Sequence, residues 1–195
     1  KKAKSLGMDC LALTDHGVMY GAIEFYKACK AEGIKPIIGA EMYVAKRSYK
    51  DKEAKMDSEP YHLTVLAKNY QGYQNLMKLI SIAHLEGYYY RPRIDKGLLR
   101  QYHEGLIALS GCPSSEFIKS LEVDNVSKAE KVATEYLDIF GQGNYYFELQ
   151  NHHWLEHSKN TSDPEIKVSL ERMQKLQDLT FKVVKELTIK MGIAM

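Results

Sequence analysis

The chain has 195 residues, with 27 Lys+Arg against 25 Asp+Glu, a formal charge of +2 and a pI near 8.3. That is the size of one domain with a sizeable core, and its near-balanced charge excludes a globally basic nucleic-acid binder, so any basic surface has to be local. No apolar run approaches the ~20 residues of a membrane-spanning helix, the opening KKAKSLGMDC lacks the apolar stretch of a secretory signal, and three widely spaced cysteines (Cys10, Cys29, Cys112) make no disulfide framework, which fits a reducing cytoplasm.

In chain order, residues 1–6 read as the end of a helix stopped by Gly7. DCLAL (9–13) is a short strand ending in a Thr-Asp-His-Gly turn. Residues 19–32 are amphipathic, with Ile23, Tyr26 and Cys29 at helical spacing and Gly33 as the stop. KPIIGAEMYVA is β-rich, residues 46–59 form a charged, exposed excursion, and YHLTVLA (61–67) is another strand. Residues 72–85 place Leu76, Leu79, Ile80 and Ala83 on one helical face. A short helix over 95–102, a strand over 105–111, a helix over 127–140 and a strand over 144–150 follow. A long helical stretch over 164–191, broken at most once, opens with Asp163 as cap and Pro164 in its first turn, and GIAM reads as the start of a strand. Strands alternating with helices imply α/β with a mostly parallel sheet, open or closed.

In parallel α/β folds, chemistry gathers beyond the C-terminal ends of the strands. Those ends carry Asp15 and His16, then Glu41, then Cys112, then Glu148 followed by Asn151, His152 and His153. His62 precedes the apolar part of its own strand. Imidazole, carboxylate and thiolate hold zinc, and a carboxylate bridging two metals can serve phosphodiester hydrolysis. Taken singly, His16 also suits a turn satisfied by backbone, His62 ordinary packing and Cys112 a buried small hydrophobe. Glu41 inside PIIGAEMYV needs a partner, because an unpaired carboxylate is costly to bury. In YYYRPR (88–93), tyrosines suit stacking on bases, or covering an edge of the fold, and Arg91 and Arg93 suit pairing with phosphate.

Several blocks taken together resemble the PHP domain of the bacterial DNA polymerase III alpha subunit: TDHGVMYGAIEFYKACKAEGIKPIIGAEMYV (14–44), YHLTVLAKNYQGYQNLMKLIS (61–81), EGYYYRPRIDKGLL (86–99), EGLIALSGC (104–112) and NYYFELQNH (144–152). The resemblance implies a single PHP domain over 1–195, a partial, distorted β/α barrel, holding up to three divalent ions, zinc or manganese. It implies His16, Glu41, His62 and Cys112 as ligands, with Glu41 bridging, and Asp15 as a supporting, turn-stabilising group. An HxH pair and an Asp are expected before Lys1 and an Asp-x-His after Met195, so the domain is expected to be incomplete. Two departures stand out. QNHH replaces the family's QNHG, and 154–170 reads as a longer loop, with His152, His153 and His157 in solvent.

For function, the resemblance implies the front of a replicative polymerase of the bacterial cytoplasm, with 3′→5′ exonuclease chemistry at the metal site. DNA, a proofreading subunit and the sliding clamp would be the partners, and magnesium would serve polymerisation in a separate domain. Two alternatives are a non-catalytic scaffold that docks the proofreading subunit and a free-standing PHP phosphoesterase.

Overall fold

The computed structural model describes residues 1–123 and 125–195. After a short helix α1 (Lys2–Ser5) come β1 (Cys10–His16), α2 (Ala22–Ala31), β2 (Lys35–Val44), β3 (Tyr61–Ala67) and α3 (Tyr70–Leu85). Then follow β4 (Arg93–Ile94), α4 (Lys96–Tyr102), β5 (Leu106–Leu109), α5 (Glu116–Glu122), α6 (Val126–Phe140), β6 (Tyr145–Tyr146), α7 (Trp154–Lys159) and α8 (Pro164–Met191). Most of the longer helices begin where a side chain can accept an otherwise orphaned N–H. Asn69, Asp95, Ser115, Asn125 and Asp163 each do so.

Six strands form one open sheet in the order β1-β2-β3-β5-β6, and β4 pairs with the end of β2 beyond the point where β1 stops. β1, β2, β4, β5 and β6 point one way, while β3 runs against both β2 and β5. The α/β class with a mostly parallel sheet therefore holds, and among the described residues the sheet does not close, consistent with a partial barrel wall.

Period-two alternation places Ala40, Met42 and Val44 of β2 and Leu63 and Val65 of β3 in the core, where Leu76, Leu79 and Ala83 of α3 also lie. Residues on the other parity of these strands, including Glu41, Tyr43 and His62, are left for the opposite face. α3 approaches the turn before β5 so closely that a Cβ on Gly72 would lie 1.8 Å from the carbonyl oxygen of Gly105, so only glycine fits there.

Several expectations are corrected. The turn after the first strand begins later, since Thr14, Asp15 and His16 continue the ladder with β2. The strand over 144–150 shrinks to Tyr145–Tyr146, because the next groups bond elsewhere: Phe147 N–H donates to Ala194 O and Glu148 N–H to Ser110 Oγ. On α2, Cys29 is buried, but Ile23 and Tyr26 are about half exposed. The expected loop over 154–170 is largely helical, with α7 and the first turns of α8 joined by a short connection, and α8 is unbroken over 28 residues. α5, too short to show a full periodic pattern, was not anticipated.

The charged excursion over 46–59 is not simply solvated. Its carbonyls of Tyr49, Asp51 and Asp57, together with that of Gly87, accept all the hydrogen bonds of the Arg93 guanidinium, at 2.7–3.1 Å, and Arg93 is 0% exposed. Arg47 closes the same segment onto the buried Asp57, with Nη2–Oδ2 at 2.6 Å, and holds that carboxyl below the ordinary carboxylate range. Arg93 is thus a structural pin inside the fold, and its expected role in phosphate contact is corrected. Removing the guanidinium takes a buried donor from all four carbonyls, so Arg93→Met lowers the unfolding free energy by about 3 kcal/mol or more. Urea unfolding followed by circular dichroism measures it.

Tyr136 and Tyr145 stack in the core with ring centroids 5.6 Å apart. Burial, reinforced by the Glu116 carboxylate, pushes both phenols above their ordinary range. A raised folded-state value leaves this contribution intact below the unfolded value of about 10 and removes it as pH climbs beyond. The urea midpoint therefore falls between about pH 9.5 and 11.5, and more gently for Tyr136→Phe.

Candidate metal centre

Glu41 is the hub of the rim. β1 and β2 pair in parallel with His16 opposite Glu41, so both side chains stand on one face. Across the antiparallel ladder on the other side, Tyr43 faces His62 and Glu41 faces Thr64, which makes His62 a diagonal neighbour of Glu41. The reversal of β3 explains why His62 comes before the apolar part of its strand. In a reversed strand, the N-terminal end meets the C-terminal ends of the others.

Cys112 arrives from the loop after β5. Ser115 N–H donates to Cys112 O at 2.9 Å, and His62 N–H donates to Ser114 O at 3.2 Å, so the loop is tied to the second residue of β3. Ser115 then caps α5 through its hydroxyl.

The four side chains meet. His62 Nδ1 lies 2.5 Å from Oε1 of Glu41, and His16 Nε2 lies 2.9 Å from Oε2. Cys112 Sγ is 3.4 Å from His62 Nδ1 and 3.8 Å from Glu41 Oε1. Glu41, His62 and Cys112 each offer a donor atom within 4.8 Å of the others, a span that one ion can bridge. Burial, then Glu41 and Glu148, push the Cys112 thiol up, against N–H groups of the loop that favour the thiolate. Beside Cys112, Oε2 of Glu148 is buried without a hydrogen-bond partner among the described residues. A buried thiol raised further by neighbouring carboxylates is a site short of positive charge, which a divalent cation held by Glu41, His62 and Cys112 would supply. Mixed N, O and S donors suit zinc and its neighbours in the first transition row.

The PHP domain model matches residues 1–152. The chain belongs to the PHP domain family. Relatives named DNA polymerase III subunit alpha include those of Treponema pallidum, 50% identical over 160 residues, and Thermus aquaticus, 48% identical over 151. That of Helicobacter pylori strain 26695 is 41% identical over 181. These matches cover 82%, 76% and 88% of this chain but 14%, 12% and 15% of the relatives. The chain therefore spans about one-seventh of their length.

Around the PHP centre, Asp15 accepts the Gly21 N–H at 3.0 Å and fixes the turn that leads into α2. Gly17, at φ +67°, packs so tightly that a Cβ would sit 2.9 Å from Pro92 and from the Tyr43 ring. His152 stacks on Trp154 at 4.6 Å and contacts Gln150, and neither His152, His153 nor His157 joins a metal-sized group among the described residues. Arg91 is exposed, with its guanidinium 5.7 Å from the centroid of the Tyr43 ring.

Sequence reasoning missed Tyr43, which packs edge-on against His62 at 5.2 Å. The signal for it was its position two residues beyond Glu41, on the same face of β2. His62→Ala and Cys112→Ser should each weaken zinc binding by at least about tenfold, while Asp15→Asn has the smaller effect. Competition against a chromophoric chelator reads both.

Proposed function

We propose that this PHP domain forms the front of a bacterial replicative DNA polymerase III alpha subunit and that its rim hydrolyses phosphodiesters at the 3′ end of DNA. The observation that carries this is the division of the Glu41 carboxylate, one oxygen toward His62 and Cys112 and the other toward His16. A carboxylate so placed suits two neighbouring cations, the arrangement that clamps both sides of a reacting phosphate. Glu41, His62 and Cys112 would hold one ion and Glu41 and His16 would take part in a second, zinc or manganese by donor chemistry. A bound cation supplies Lewis acidity toward a phosphoryl oxygen.

The chain's own residues supply position. Glu41 fixes both imidazoles, Tyr43 limits the rotation of His62, and the 112–115 turn holds the sulfur against them. In the full-length protein, the reading extends to DNA-directed DNA polymerisation with magnesium in another domain. It also extends to partnership with a proofreading subunit and the sliding clamp in the bacterial cytoplasm.

The test is metal content by mass spectrometry together with degradation of a 3′-labelled single-stranded oligonucleotide by the full-length protein. Glu41→Ala should lose metal and slow degradation at least about a hundredfold. Wild-type protein that binds metal but degrades DNA no faster than Glu41→Ala overturns the hydrolytic part.

A further inference from the structure

A cleft of about 600 Å³ opens beside the metal centre, with His62 and Tyr43 among its lining residues. Its walls bring together Lys46 after β2, Arg91 before β4, Lys119 on α5 and Lys128 on α6, elements far apart in sequence. Two carboxylates, Glu59 and Glu122, share the cleft. Glu122 is already held by Lys119 at 2.8 Å and Arg172 at 3.0 Å, which leaves Glu59 against Lys46, Arg91 and Lys128. Among the described residues none of these three cations has a carboxylate within ion-pair distance.

Two of them are held by aromatic faces instead. The Lys46 ammonium lies 5.8 Å from the Tyr61 ring centroid, and the Arg91 guanidinium lies over Tyr43. A ring positions a cation without occupying its N–H donors. Tyr43 is also the residue packed against His62, so one side chain sets both a phosphate-sized donor and a member of the metal cluster.

We propose that this cleft is the track for a single-stranded polynucleotide. Arg91 would bind the phosphate next to the one at the rim, and Lys46 and Lys128 those further along the strand. The hydrolytic reading supplies only the location of the reacting phosphodiester. The cleft's binding of DNA stands or falls separately. Its volume falls in the range of ligand clefts and suits a short stretch of one strand. Contacts from side chains to phosphate make binding independent of sequence and sensitive to salt. An acidic peptide would use the same charges but gains nothing from lying beside a metal cluster.

The test is photo-cross-linking in the full-length protein, which requires no turnover. Lys128→Cys, and Lys35→Cys at the opposite end of β2 as a control, each carry a photoreactive azide and receive a labelled 12-nucleotide single strand. The proposal expects at least about fivefold more cross-link at position 128 than at 35, and a fall of about fivefold when Arg91→Ala or Lys46→Ala is added. Equal yields at the two positions, insensitivity to Arg91→Ala, or competition by polyglutamate as strong as by unlabelled DNA would each overturn it. Cross-linking as expected in a protein that degrades no DNA sustains the cleft and overturns the hydrolytic reading. Degradation without preferential cross-linking does the reverse.

Discussion

β3 enters the sheet backwards between two strands that run the other way, and the chemistry at the rim depends on that reversal. A parallel β3 would carry His62 to the far edge of the sheet, about 20 Å from Glu41 for a seven-residue strand. Reversed, it places an imidazole diagonal to a carboxylate and fixes both by ladder hydrogen bonds, not by flexible loops. The loop after β5 can then deliver Cys112 to a place already shaped by two strands. A constellation built on strand ends is held more closely than one built on loops, which is what a shared carboxylate between two imidazoles demands.

Electrostatics and packing cooperate in the same small volume. Glu41 has its side chain 18% exposed, and its two nearest partners are the imidazoles of His16 and His62. The neighbouring thiol is disfavoured as thiolate by burial and by carboxylates on two sides. Left to itself, the cluster is a compromise among donors that each do better around a cation. The rest of the fold acts to keep that compromise in place: Asp15 pins the turn after β1, the absence of a side chain at Gly17 lets Tyr43 and Pro92 close over it, and Ser115 anchors the turn that carries the sulfur.

Much of this was legible before any coordinates. The sequence located α3, α4, α6 and α8 within two residues of their ends, with Leu76, Leu79 and Ala83 marking the buried face of α3 and Asp163 with Pro164 marking the start of α8. Glu41 stood out because a carboxylate in an apolar strand needs partners, and the structure brings three of the suspected residues to it. The direction of β3 was not legible, since a period-two pattern reads the same in either direction. β6 was overestimated because Phe147 and Leu149 suit a strand, while the hydrogen-bond partners of that stretch are Ala194 and Ser110, far away in sequence. α7 was hidden because its polar residues look like those of a loop, and what they pack against is a helix that follows.

The fates of Arg91 and Arg93 show what local sequence leaves open. Two arginines separated by one residue would share a face in a regular strand, and a motif reading treats them alike. Here β4 begins only at Arg93, and just before it Tyr89 bridges to Arg91 while Tyr90 takes a left-handed backbone at φ +57°. The chain turns at that point, so one guanidinium is delivered to four carbonyl oxygens in the interior and the other stays outside over Tyr43. The buried one organises the 46–59 excursion, and that excursion starts with Lys46 and ends with Glu59, both at the cleft wall. Arg93 therefore serves the cleft without touching it, by holding in shape the segment that carries part of its wall.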